Sequence, residues 1–178
     1  MNDLLKENKP ALLFLLTFVG LYLALNTLYG FYVTSFLPQP DPITIFVSKQ
    51  VASCLSVADP SISCSVIQGS KYVPIRNVER TVISVFEGCN GINVMIVFVS
   101  FLAAYRGKLK ATFQFGMGGL VVIYIMNLFR VGMLYGIELY FPRYLYFFHK
   151  YLFTGMIYAV VFLMWYLWAK QVKRAAAK

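Results

Sequence analysis

The sequence predicts an all-α integral membrane protein of about four transmembrane helices, with both termini in the cytoplasm and a small extracytoplasmic segment between helices 1 and 2. Three observations lead there. Of 178 residues, 60% are hydrophobic; the formal charge is nonetheless +9; and the apolar residues gather into four runs, 11–37, 88–105, 111–136 and 151–169. Crossing about 30 Å of hydrocarbon takes roughly 20 apolar residues in a helix. None of the runs alternates as barrel strands do, and lipid offers backbone N–H and C=O groups no other partner than the helix itself.

The first run is longer than the roughly 7 to 15 apolar residues of a secretory signal, and no small-residue cleavage site closes it, so it reads as an anchor. Beyond the tail "KRAAAK" there is no low-complexity segment and no internal repeat, so residues 1–178 form a single membrane domain. Charge orients it. The loop "RGKLK" carries Arg106, Lys108 and Lys110, and the tail adds Lys170, Lys173, Arg174 and Lys178, which belongs in the cytoplasm. Segment 38–87 balances Lys49, Lys71, Arg76 and Arg80 against Asp41, Asp59, Glu79 and Glu87, and belongs outside. Topology thereby accounts for the basic excess, and a nucleic-acid partner, which calls for a basic face on a soluble module, is excluded. The expected localisation is a bacterial cytoplasmic membrane, multi-pass, with the lipid bilayer as the first partner.

In the outer segment Asp41 followed by Pro42 predicts an N-cap and first turn. Ile43, Phe46, Val47, Val51, Cys54 and Leu55 then recur at helical spacing. Such a helix lies on the outer leaflet, folds over the bundle or faces the core of a small outer domain. A turn is expected at Asp59-Pro60, and "SVIQGSKYVPI" predicts a hairpin whose second strand Pro74 would confine to an edge. Cys54 and Cys64 share this segment, so they form either a disulfide or two separate thiols. Cys89 is left without a sequence partner.

The candidate site lies where three helices meet the outer face. In "FEGCNGINVM" the glycines 88 and 91 leave the backbone around Cys89 accessible. The start of the second run places the thiol in a first helical turn, where unpaired N–H groups and the helix dipole favour a thiolate. Glu87 acts in the opposite direction. Arg130, in "YIMNLFRVGML", stands 19 residues after Ala111, about 28 Å up its helix at about 1.5 Å per residue. A cation inside an apolar run is a functional candidate. Asn127 sits on the same face three residues earlier, able to orient the guanidinium or to donate a hydrogen bond itself. His149, the single histidine, opens the fourth run. The bland readings are a packing cysteine, a snorkelling arginine and an interfacial histidine; their arrival at one surface from three helices argues against all three together.

Those residue types fit nucleophilic chemistry at a carbonyl. His149 serves either as general base or as the ion-pair partner of a thiolate, and Arg130 stabilises the oxyanion. The group orienting the histidine stays open among Glu138, Glu87 and Asn127. One histidine and one cysteine fall short of a metal site, so neither metal nor cofactor is expected.

"EGCNG" around Cys89, "NLFR" ending at Arg130 and "HKYLFTG" beginning at His149, in that order on successive spans, resemble the exosortase and archaeosortase family, and within it the short exosortase F type. The resemblance covers roughly residues 80–160. It implies that Cys89, Arg130 and His149 are catalytic, and that the substrates are exported proteins with a C-terminal sorting signal. It also implies cleavage through an acyl-enzyme and, by analogy with sortases, transfer to an amine acceptor. Two departures stand out. Asn90 occupies a position that is commonly Ser, which bears on oxyanion contacts or substrate choice, and the chain lacks spans of the longer members, which leaves room for an accessory membrane protein. The expected function is a membrane cysteine protease or transpeptidase; the alternative is a non-enzymatic assembly or export subunit in which Arg130 pairs with Glu138 or a partner.

Overall fold

The computed structural model describes residues 8–105 and 107–176. Arg106 and Lys178, two of the basic residues that orient the chain, lie outside the described residues, as do 1–7 and 177.

Helix α1 spans Lys9–Thr34, with Pro10 in its first turn and no buried residue along it. It leans on the rest of the chain through rings, Phe14 edge-on to Phe101 at 5.5 Å and Phe18 edge-on to Trp165 at 6.0 Å. Its other faces are bare and apolar, which suits lipid.

Helix α2, Pro42–Ser56, begins as the sequence predicts: the Asp41 carboxylate accepts the N–H groups of Ile43 and Thr44, each at 3.0 Å. Its buried stripe differs from expectation. Thr44, Val47, Ser48, Val51 and Ala52 face inward, while Phe46 and Cys54 are exposed. Apolar spacing misplaces the face because two hydroxyls on it are internally satisfied: Thr44 donates to Asp41, and Ser48 donates to the Thr44 carbonyl. Its buried stripe faces the protein, which fits a helix folded over the bundle as well as one facing a small outer core. α2 packs on the sheet and on a later helix.

The chain then turns at Asp59-Pro60, where Ile62 N–H donates to the Asp59 carbonyl at 3.1 Å. Three short strands follow, β1 Ser63–Cys64, β2 Val73–Arg76 and β3 Thr81–Val85, antiparallel in the order β1-β2-β3. The hairpin is present, but Pro74 lies in the central strand rather than an edge. The reason is local: Pro74 turns its backbone toward β1, accepting from Ser65 N–H at 3.4 Å just beyond the end of that two-residue strand, so its missing donor leaves only one ladder bond unmade.

After β3 a 3-10 turn, Glu87–Cys89, leads to α3, Ile92–Ala104. This corrects the second predicted span. Thirteen helical residues reach only about 20 Å at about 1.5 Å each, because the "EGCNG" stretch that opens the run is spent on a turn. α4 is the long element, Leu109–Tyr140, whose 32 residues reach about 48 Å. It overshoots the predicted run at both ends. A helical stretch starts again at Pro142, passes through a π-turn at Phe148–Leu152, and continues as α5, Phe153–Ala176.

Among the described residues three helical segments are long and apolar enough to cross a membrane, Lys9–Thr34, Leu109–Tyr140 and Pro142–Ala175, with Ile92–Ala104 a shorter apolar helix beside them. The chain therefore has the make-up of a largely helical, multi-pass membrane protein. Two cores hold it. Phe98 and Leu102 of α3, Ile123 of α4, and Val161 and Trp168 of α5 form one; a Cβ on Gly119 would stand 2.2 Å from the Phe98 ring, so only glycine lets α4 come this close. The other core joins α2, the sheet and the upper part of α4 through Val47, Val51, Ile75, Val85, Val131 and Tyr135. The basic residues Lys108, Lys170, Lys173 and Arg174 gather at the end of the bundle where Gly107 meets Trp168, opposite the turn that carries Cys89.

Candidate active site

The site is assembled from three local structures. The 3-10 turn holds Cys89 with its N–H donated to the Phe86 carbonyl at 2.8 Å. Gly91, at φ +84°, then swings the chain into α3. A Cβ there would also lie 3.0 Å from the Asn127 side chain, so glycine is required for both conformation and space. Asn127 uses that space: its amide donates to the Cys89 carbonyl at 2.9 Å, and its side chain is fully buried. Of the two roles expected of Asn127, orienting the arginine or donating a hydrogen bond itself, the structure shows the second: its amide pins the cysteine turn to α4.

Arg130, one helical turn above Asn127, is 8% exposed. Its Nη2 stands 3.4 Å from Nε2 of His149, and its Nε is buried without a partner among the described residues. His149 comes from the π-turn ahead of α5, whose extra residue per turn is closed by Thr154 Oγ1 donating to the His149 carbonyl at 3.1 Å. The same Nε2 lies 3.8 Å from Cys89 Sγ. The structure therefore brings together the three residues singled out from the sequence, around one nitrogen. That nitrogen faces a guanidinium, which only donates, so it presents its lone pair and the ring proton sits on Nδ1. Among the described residues none accepts from Nδ1, and no third member orienting the ring is present.

The remaining candidates take other positions. Glu138 lines the same cavity, but its ion pair, 3.8 Å long, is with Arg80 of the outer segment and not with Arg130. Glu87 is half-buried and its charge opposes ionisation of Cys89. Asn90 points away from the thiol. It is 1% exposed, donates to Tyr29 of α1 at 2.6 Å and Thr44 of α2 at 3.0 Å, and accepts from Ile92 N–H at 3.1 Å. Through its side chain Asn90 is thus a fastener between three elements. Replacing it with alanine strands Tyr29 and the Ile92 N–H, and is expected to lower stability by about 2 kcal/mol, seen as a lower unfolding temperature in detergent.

Cys54 and Cys64 are free thiols, the first exposed and the second half-buried. Of the two readings above, the structure has the separate thiols. Among the described residues no group of three or more His, Cys, Asp or Glu is placed to hold a metal ion.

The Cys89 thiol sits in a turn outside the spanning helices. Burial pushes its pKa above the ordinary thiol value, Arg130 and the Phe86 backbone pull it down, and Glu87 pushes it up; burial wins. The helix-terminus argument for a resting thiolate is corrected with it, because Gly91 separates Cys89 from α3 and its own N–H is already bonded.

Cys89 and His149 open onto a cavity of about 460 Å³ walled by consecutive residues of β3 and its continuation, Val82 to Phe86, and by Val131, Leu134 and Glu138 of α4. Arg130 stands behind this wall. The strand wall escaped the sequence reading, although "TVISVF" carries the signal, a β-branched run with period two. Comparisons with family models, with curated proteins and with solved structures return no match.

Proposed function

We propose that the chain is a membrane-embedded cysteine peptidase or transpeptidase. It works at the outer face of a cytoplasmic membrane on exported proteins with a C-terminal sorting signal, through an acyl-enzyme on Cys89. The observation that carries this reading is the convergence of Cys89 Sγ and Arg130 Nη2 on His149 Nε2, at 3.8 and 3.4 Å, beside a cavity large enough for a peptide segment. The basic ends opposite this site support a cytoplasmic location for the tail and an outward location for the cavity.

With a substrate carbonyl against Sγ, the thiol proton passes to Nε2, the S–C bond forms, and the carbonyl electron pair moves onto oxygen. Once protonated, Nε2 no longer accepts from Arg130, and the released Nη2 donor turns to the oxyanion. Collapse breaks the C–N bond and the departing amine takes the proton from Nε2. Water or an amine acceptor then attacks the thioester, His149 receiving the proton; the C–S bond breaks as the acyl group leaves on the acceptor, and Cys89 takes the proton back from Nε2. Because the resting thiol is held protonated by burial, His149 works as general base in this scheme.

Thiol reactivity tests it. Since Cys54 is the exposed cysteine, the measurement uses a Cys54→Ser, Cys64→Ser protein and a membrane-impermeant maleimide applied from outside. Cys89 is expected to be alkylated near neutral pH, at a rate that falls about 10²-fold or more in His149→Ala, the lower end of what general-base assistance supplies. A rate independent of His149 would remove the base from the mechanism.

A further inference from the structure

β3 is an edge strand, and its open edge leads into the reacting cysteine. Val73 and Ile75 of β2 pair with Val85 and Ile83, and the backbone of Pro74 is turned to β1. In a strand the N–H and C=O of alternate residues face opposite sides. Ile83 and Val85 therefore bond inward to β2, and the N–H and C=O of Ser84, which is exposed, face out. Among the described residues no strand continues the sheet beyond β3. The outward edge is no bare surface patch: Ser84 lines the same cavity as Cys89 and His149.

An unpaired strand edge is a template for another strand, giving affinity through main-chain bonds whatever the side chains. From this geometry we infer that the substrate is held as a fourth strand on β3. The residues on the acyl side of its scissile bond run parallel to β3, pair with the N–H and C=O of Ser84, and deliver the scissile carbonyl to Cys89. The direction follows from the chain: β3 runs toward the cysteine, so a peptide whose reacting carbonyl lies at Cys89 and whose upstream residues lie along β3 travels the same way. The occupant is an extended polypeptide, because only a polypeptide offers a donor and an acceptor at strand spacing. Pairing on the acyl side also keeps the acyl portion in place after the amine has left. The inference rests on the peptidase reading above and adds to it how the substrate is held.

The test uses the full chain with Cys54→Ser and Cys64→Ser, and chloromethyl ketones as probes: N-acetyl-alanyl, N-acetyl-tetra-alanyl, and tetra-alanyl reagents N-methylated at one amide at a time. Alkylation forms the S–C bond at Cys89, expels chloride and passes the thiol proton to His149. The tetra-alanyl reagent is expected to alkylate Cys89 about tenfold faster than the single-residue reagent. Methylation of one particular amide is expected to remove that gain, while methylation of its neighbours leaves most of it, as one lost ladder bond requires. In Ser84→Pro, which lacks the outward N–H, the advantage of the tetra-alanyl reagent over the single-residue one is expected to shrink. Equal rates for all tetra-alanyl reagents would overturn strand pairing while leaving the nucleophile intact. No alkylation of Cys89 by any of them would overturn the peptidase reading and this inference with it.

Discussion

Replacing Cys89 with serine is expected to abolish removal of the C-terminal membrane helix from substrate proteins, a loss of at least about 10³-fold, while the chain still inserts and keeps its fold. A buried hydroxyl is a far weaker nucleophile than a thiol beside the same imidazole, and nothing else in the cavity replaces it. The exchange is nearly isosteric at a residue 7% exposed, and the contacts that position the turn, Cys89 N–H to Phe86 and Asn127 to the Cys89 carbonyl, are made by the backbone at 2.8 and 2.9 Å. Unfolding temperature in detergent should therefore stay close to that of the unchanged protein. Quantifying substrate with and without its C-terminal helix checks the activity, and full processing by Cys89→Ser would remove the nucleophile from the account.

Arg130→Gln is expected to lower processing by about 10²–10³-fold, the range found when one donor to a developing oxyanion is removed. It carries a second signature in pH. The guanidinium pulls the Cys89 thiol down against burial, so removing it lets burial act unopposed and raises the thiol further. Alkylation follows the thiolate, so the rising limb of its pH profile should move to higher pH in Arg130→Gln. Arg130→Lys keeps the charge and should restore part of that shift. Its processing should remain low, because a lysine ammonium on its flexible stem does not reproduce the fixed guanidinium donor that turns from His149 Nε2 to the oxyanion. Alkylation rates across pH, read by mass spectrometry, check both variants; an unmoved limb in Arg130→Gln would place the guanidinium outside the electrostatics of the thiol.

Much of this was legible in the sequence where the signal is hydrophobic length. α1, α4 and the helical stretch leading into α5 lie where the apolar runs fall, and the Asp41-Pro42 start of α2 is a local capping pattern that needs no tertiary information. The coming together of Cys89, Arg130 and His149 was also legible, because helix rise converts position in a span into depth. What could not be read there depends on polar groups that satisfy one another across elements. The inward face of α2 includes Thr44 and Ser48, which hydropathy alone turns to solvent; the burial of Thr44 rests on Asp41 and Asn90, and that of Ser48 on the Thr44 carbonyl. Asn127 shares a helical face with Arg130 and invites that pairing, yet it serves a carbonyl 38 residues away. The second span fell short because Gly91, read as an accessible spacer, is the residue whose positive φ ends a turn and starts α3. Pro74 in a central strand follows from a neighbour only two residues long.

The most direct test of the central claim is mass-spectrometric profiling of the C-termini of envelope and secreted proteins, in cells making the unchanged protein and in cells making Cys89→Ala at matched abundance. The expected result is a set of proteins that keep a C-terminal membrane helix only when Cys89 is alanine, with the cleaved set sharing a short motif ahead of that helix. Identical C-terminal profiles in the two strains, with proteins carrying such helices expressed in both, would contradict the peptidase account.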